Sequence, residues 1–461
     1  MAVGPRVSEW RKLPMSLTEL CIDTTLRCGQ AFRWRKVEDE WHCTLQGRIL
    51  SLKQDATHLH YRTTWPKQTT APGGPAAPLT PPPSSLPSPA PDQTSTPEDD
   101  EDDDDTLSLL TTYFNLPISL SALYTTWSAA DPNFARRAPS FTGIRILNQP
   151  AWEALVAFIC SSNNNISRIS SMVTNLCLHY GPYIGTTTTT TSGSEPLHDF
   201  PSPSALAGDG VEQKLRALGF GYRARYIAQT AQIINAKGEG WLDGLRNPLS
   251  PPLGGGGGGG GGGRLPNPQP TYKAAHEALL SLPGVGPKVA DCVCLMGLGW
   301  AEAVPVDTHV WQIATRDYKF GGGGKGSKTK TLNRAIHDAV GDHFRGIWGE
   351  YAGWAQSVLF TANLKSFARQ AEGGGEGDGD GEEGKVEEEV KDVKEVKEVV
   401  VEVVKKEMTT GDKPTALRST MRVTKRKVVI KTEVDEETDD MPIADVKVAA
   451  TRTSKRRRVR A

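Results

Sequence analysis

No Cys-x-x-Cys pair occurs anywhere in the 461 residues, so a zinc site or an iron–sulfur cluster has no ligand set to build on. The seven cysteines are Cys21, Cys28, Cys43, Cys160, Cys177, Cys292 and Cys294. Their number is odd and their spacing irregular, which argues against a disulfide framework and for reduced thiols in the nucleus or cytosol. No apolar run is long enough to span a bilayer, so no membrane partner is expected. Met1 to Trp10 lacks the apolar core of a secretory signal. Hydrophobic residues make up only 37%, which predicts folded parts diluted by unstructured ones. Net charge is also nearly missing, at −1, but it averages an acidic run over Asp99 to Asp105 and a basic run over Lys455 to Arg460.

What is present changes character along the chain. Trp10 to Trp65 reads as short strands, with Phe32, Trp34, Trp41, Leu45, Ile49, Leu50, Leu52, Leu59 and Tyr61 between turn residues. Residues 1–65 are therefore expected to form an antiparallel β part, and 66–105 a disordered Pro-rich and acidic insertion. From Thr106 the period becomes helical, through Leu107, Leu110 and Phe114 and then Leu120, Leu123 and Trp127. Residues 106–150 read as the helical remainder of an N-terminal domain. Residues 151–370 read as a helical domain interrupted by low-complexity loops at 186–193, 250–270 and 321–330. Insertions between helices cost little, because loop-closure entropy grows only logarithmically with length. Residues 371–461 read as a disordered charged tail. The expected fold class is α+β: a twisted antiparallel sheet, then helices.

The most informative stretch is Leu282-Pro283-Gly284-Val285-Gly286-Pro287-Lys288, between helical patterns at Tyr272 to Leu282 and Lys288 to Leu298. Pro283 helps to stop the first helix. Gly284 and Gly286 allow close approach of backbone to a ligand. The free N–H groups of the next helix favour an anion such as a phosphate. This is a helix-hairpin-helix, which grips a nucleic-acid backbone without reading sequence. Lys288 lies in a first helical turn, where the dipole disfavours its charged form and so favours a nucleophilic amine. Asp307, in Val304-Pro305-Val306-Asp307-Thr308-His309, is placed to cap the following helix and stay ionised. Taken alone, Lys288 reads more readily as a surface lysine or a phosphate contact than as a nucleophile, and Asp307 as an ordinary cap.

At these residues the chain resembles the eukaryotic 8-oxoguanine DNA glycosylase family of the helix-hairpin-helix glycosylase superfamily. The resemblance runs through Cys28-Gly29-Gln30-Ala31-Phe32-Arg33-Trp34, Phe158 to Ile166, Gly219 to Tyr226, the hairpin through Cys292, Val304 to His309, and Tyr351 to Phe360. These blocks occur in family order across about Trp10 to Phe367.

The resemblance implies a bifunctional enzyme acting on double-stranded DNA that carries 8-oxoguanine opposite cytosine. Lys288 would attack C1′ of a flipped nucleotide with help from Asp307, followed by β-elimination. Gly29 would offer its carbonyl to the N7–H of the oxidised base, Gln356 would bond its Watson–Crick edge, and Phe360 and Cys292 would sandwich its faces. Asn163 would fill the vacated stack, Arg168 and Arg223 would contact the orphan cytosine, Tyr222 would wedge beside it, and His309 would touch a phosphate. The resemblance implies no cofactor or metal, and a monomer. Pro287 before the lysine and Thr308 after the aspartate depart from the family pattern. Two rivals stand beside this reading. A monofunctional alkylpurine glycosylase lacks the hairpin lysine, and a non-catalytic DNA-binding helix-hairpin-helix module needs no lysine–aspartate pair. Lys425-Arg426-Lys427 and Lys455-Arg456-Arg457-Arg458 suggest a nuclear location, with a mitochondrial share left open.

Overall fold

The computed structural model describes residues 5–66, 104–189, 193–238, 240–253, 269–321 and 333–367. The expected tail at 371–461, the glycine run at 254–263 and most of the insertion at 66–105 lie outside the described residues.

Strands β1 (Arg6–Val7), β2 (Arg11–Pro14), β3 (Arg35–Val37), β4 (Glu40–Leu45), β5 (Arg48–Gln54) and β6 (His58–Trp65) form one antiparallel sheet in the order β1-β6-β5-β4-β3. β2 pairs β6 beside β1. The β4–β5 hairpin closes on Gln46 and Gly47, both at positive φ, whose twist suits adjoining strands. Along β6, Leu59, Tyr61 and Thr63 are buried and the residues between them are not, the period-two pattern of a half-buried strand. A short helix α1 (Ile22–Thr25), not anticipated from sequence, links β2 to β3.

Helix α2 (Thr106–Tyr113) covers the buried face, where Leu109, Leu110 and Tyr113 pack with Leu50, Leu52, Leu59 and Tyr61. Leu107 does not join that face; it is 44% exposed, and Leu109 takes the buried position. The acidic run is ordered at its end. Asp104 pairs with Arg11 at 3.0 Å and Asp105 with Arg48, which pins the start of α2 to the sheet.

Helices α3 (Leu120–Ala130) and α4 (Pro132–Arg137) contribute Leu120, Tyr124, Trp127 and Phe134 to the second, helical core instead of the sheet's core. Packing thus divides the 106–150 segment between the two cores. Helix α5 (Ala151–Cys160) is the central element: nine of its ten residues are buried, so neighbours cover it on every side. Helix α6 (Ile166–Tyr180) follows. Strands β7 (Tyr183–Thr189) and β8 (Gly193–His198) then pair as a hairpin where the threonine run predicts a structureless loop. Threonine is β-branched and favours extended backbone, so the low-complexity tract has the chemistry of a strand. The remaining helices are α7 (Val211–Ala217), α8 (Arg223–Lys237), α9 (Gly240–Asp243), α10 (Tyr272–Leu280), α11 (Pro287–Met296), α12 (Thr308–Asp317), α13 (Arg334–Trp348) and α14 (Ala352–Ala362).

Arg33 joins the two cores. Its guanidinium forms a two-pronged pair with Glu153 of α5, at 2.8 and 2.7 Å, and also reaches Asp199 at 3.0 Å. Among the described residues, no helix is long and apolar enough to cross a membrane.

Candidate active site

The hairpin between α10 and α11 is set by steric fit. Gly284 has φ +77°, and a Cβ there would come within 2.6 Å of the Tyr226 ring. The backbone is therefore held against α8, and the Thr230 hydroxyl adds a hydrogen bond to the Pro283 carbonyl at 3.0 Å. Gly286 is different. It caps α11 in extended conformation, is exposed, and has nothing within 4 Å of the place a Cβ would occupy. Of the two glycines expected to admit a ligand, Gly286 has the open space and Gly284 is filled by the protein itself. Pro287 opens α11, where its missing N–H is no loss.

Lys288, half-buried in the first turn of α11, donates to the Ser161 hydroxyl at 3.1 Å. Its amine lies 5.2 Å from the centre of the Phe158 ring. Cys292, one turn further on, is buried, and burial pushes its thiol up to about 11 against the opposing pull of Lys288. The negative charge of Asp307 adds to that upward push. Asp307 caps α12 as the spacing predicts. Its Oδ1 accepts from the N–H groups of His309 and Val310, both at 2.9 Å, while Oδ2 makes no hydrogen bond among the described residues.

A second group of residues comes from distant parts of the chain. Gly29 has φ +89°, and a Cβ there would press to 3.1 Å from the Ile166 side chain. The adjacent Cys28 thiol accepts from Gln30 at 3.3 Å and lies against the Thr361 hydroxyl, which brings the Gly29 turn to the end of α14. Gln30 anchors that turn by donating to the Arg145 carbonyl at 2.8 Å and accepting from the Leu147 N–H at 3.0 Å. On α14, Gln356 is buried with no side-chain hydrogen bond among the described residues. Phe360 is half-buried, and its ring meets exposed His309 edge-on at 6.1 Å.

A third group surrounds the α5–α6 turn. Asn163 has φ +50°, a conformation that asparagine tolerates better than most residues. Asn165 caps α6 by accepting from the Arg168 N–H at 2.8 Å. The exposed Arg168 guanidinium lies 3.4 Å from the Gly219 carbonyl. The Tyr222 hydroxyl donates to the Ser162 carbonyl at 3.0 Å, and Tyr222 is 48% exposed. Arg223 is only 4% exposed and donates to the Ser162 carbonyl and, at 3.1 Å, to the Asn163 carbonyl. It therefore faces the turn in this structure, with its guanidinium 4.6 Å from the Tyr222 ring centre.

Sequence reasoning gave no role to Ser161 or Tyr226, although both lie within the stretches that carry the resemblance. It also missed a buried polar cluster around Asp291. The Tyr272 hydroxyl donates to Asp291 at 2.5 Å, and His276 and His337 stand 3.4 and 3.2 Å from its carboxylate. One signal was available: Asp291 interrupts an otherwise apolar stretch of α11. Among the described residues, no group of three or more His, Cys, Asp or Glu could hold a metal ion.

A glycine hairpin that starts a helix bearing a lysine, followed by a helix capped by an aspartate, is the arrangement of a helix-hairpin-helix base-excision protein. Residues 156–336 match the family model described as HhH-GPD superfamily base excision DNA repair protein. Residues 12–155 match the model described as 8-oxoguanine DNA glycosylase, N-terminal domain. The chain is 35% identical to the N-glycosylase/DNA lyase OGG1 of Arabidopsis thaliana over 365 residues, covering 77% of this chain and 80% of that protein. It is 42% identical to the N-glycosylase/DNA lyase of Saccharomyces cerevisiae over 265 residues, 55% of this chain and just under two thirds (65%) of the yeast protein. The chain belongs to the 8-oxoguanine DNA glycosylase family, whose members are N-glycosylase/DNA lyases. The same fold recurs in the Clostridium acetobutylicum 8-oxoguanine glycosylase/lyase bound to double-stranded DNA with cytosine opposite 8-oxoG, at TM-score 0.52 and 20% identity, covering 75% of this chain and 91% of that one. It recurs also in MBOgg1 with a low affinity DNA ligand, at TM-score 0.54 and 22% identity, covering 78% and 98%.

Proposed function

We propose that this protein excises 8-oxoguanine opposite cytosine from duplex DNA and then nicks the strand by β-elimination. The observation that carries this reading is a lysine in the first turn of the hairpin helix, its amine held by the Ser161 hydroxyl, together with an aspartate that caps α12 through one oxygen and leaves the other unbonded among the described residues. In the proposed reaction the lone pair of the neutral Lys288 amine forms a bond to C1′ of the flipped nucleotide. The bond from C1′ to the base breaks, and its electron pair leaves with the base, which takes up a proton. Opening of the sugar ring gives the Schiff base, and loss of a C2′ proton expels the 3′ phosphate oxygen. The unbonded oxygen of Asp307 faces the positive charge that builds on the sugar.

We assign the recognition roles from the family resemblance. Gln356, buried and unbonded, supplies donors and an acceptor for the edge of the flipped base. Phe360 and Cys292 flank its faces, and the Gly29 carbonyl accepts from N7–H, which guanine lacks. Asn163, Arg168, Tyr222 and Arg223 serve the gap and the opposite base. Gly286 and His309, both exposed, suit contacts to the phosphate backbone. We further propose that the protein acts as a monomer and that the basic segments at 425–427 and 455–458 direct it to the nucleus.

The test is borohydride trapping on a duplex with one 8-oxoguanine opposite cytosine. A covalent complex is expected with the native chain and none with Lys288→Gln. Trapping that persists in Lys288→Gln rules out this nucleophile.

A further inference from the structure

The turn over Ser161 to Asn163 touches two sets of side chains at once. On one side, its carbonyls at Ser162 and Asn163 accept from Tyr222 and Arg223. On the other, the Ser161 hydroxyl lies 3.1 Å from the Lys288 amine. A serine hydroxyl has one proton, and here it goes to the Phe158 carbonyl at 2.7 Å. Lys288 is therefore the donor, and Ser161 holds it through a lone pair. Ser161 is also the C-cap of α5, where the helix presents the negative end of its dipole to the amine.

The turn has little slack. The Ser161 N–H bonds back to the Phe158 carbonyl at 3.1 Å, and Asn164 bonds back to the Cys160 carbonyl at 3.0 Å. Asn163 between them sits in the left-handed region. Both Arg223 bonds to the turn come from one nitrogen, Nη2, while Nε is buried with no partner among the described residues. An arginine that rotates its planar guanidinium to aim another N–H at a base edge moves Nη2 with it and so alters its hold on the two carbonyls. Those carbonyls adjoin the residue that holds the amine.

We infer that Ser161 is a positioning residue that links the readers of the opposite base, Tyr222 and Arg223, to the amine of Lys288. The inference rests on the roles given to those residues under the proposed function. Its consequence is kinetic: the opposite base is read in the rate of bond formation at C1′, and not only in binding.

The test uses the full chain in single-turnover borohydride trapping, with 8-oxoguanine opposite cytosine or opposite adenine, and measures duplex affinity separately. Ser161→Ala is expected to slow trapping opposite cytosine by about tenfold, since small misplacements of a reacting group carry costs of that order or more. Trapping opposite adenine slows less, so the ratio of the two rates shrinks while the ratio of affinities holds. Ser161→Thr, which keeps the hydroxyl, restores the ratio. Tyr222→Phe, at a half-exposed position, removes one bond to the turn and shrinks the ratio by itself. The double variant then slows trapping by less than the product of the single effects, the signature of coupled sites. Equal slowing opposite both bases, multiplicative effects, or an alanine variant as fast as the native chain overturns the link. Lys288→Gln, run in parallel, separates the failures. Trapping that survives there overturns the assignment of Lys288 itself, whereas its loss together with an unchanged ratio in Ser161→Ala overturns only the link. A native chain that traps equally opposite both bases overturns the link and the opposite-cytosine reading together.

Discussion

The Asp307 carboxylate divides its two oxygens between two tasks. Oδ1 caps α12, and Oδ2, unbonded among the described residues, is the oxygen proposed to face the sugar. An asparagine keeps a capping oxygen but loses the charge. Asp307→Asn is therefore expected to change stability by less than about 1 kcal/mol, while excision falls by about a hundredfold or more. Thermal denaturation and single-turnover excision read the two effects separately. A parallel loss of both would show that the carboxylate matters only as a cap.

The hairpin sorts its glycines by what surrounds them. Gly284→Ala drives a Cβ into Tyr226 at a positive φ and is expected to destabilise the fold by about 1–3 kcal/mol. Gly286→Ala meets open space and extended backbone, so the melting temperature should hold while affinity for duplex DNA drops. An unaltered affinity would remove the hairpin N-terminus from the DNA contact.

Asp291 ties α11 to α10 and α13 through Tyr272, His276 and His337. Burial pushes the Asp291 carboxyl up to about 8, partly offset by the Tyr272 hydroxyl and Arg345. A carboxyl raised in the folded state contributes stability while protonated and loses it as pH rises through the folded value. Burial lowers His276 and His337, which works in the opposite sense as pH falls. Comparison with Asp291→Asn isolates the carboxyl. The melting temperature of the native chain, relative to that variant, should fall between about pH 5 and 8.5. A constant difference across that range would show that Asp291 is ionised throughout.

A buried ion pair at Arg33 joins the sheet to the helices. The Arg33 side chain is 6% exposed and that of Glu153 7%, so neither charge can turn to water. Arg33→Met leaves Glu153 buried without its partner and is expected to cost about 3–5 kcal/mol. Denaturant unfolding measures this, and a cost under about 1 kcal/mol would mean that water reaches the carboxylate.

The lysine, its hairpin and the capping aspartate could be read directly from the sequence, because each lies within a few residues of the feature that defines it. So could the strands before Trp65 and most of the helices, whose apolar residues recur at the period of the element they build. The β7–β8 hairpin could not, since a threonine run has no apolar alternation to announce a strand. Leu107 misled for a related reason: a short helix offers several leucines to one face, and packing on the sheet chooses among them. Lys288 and Ser161 are 127 residues apart, and Arg33 and Glu153 are 120 apart. No local period records which of two distant segments will touch. That was decided by the packing of α5 against α11 and by the reach of Arg33 to Glu153, and it is this packing that turns a helix-start lysine into an amine held at the end of another helix.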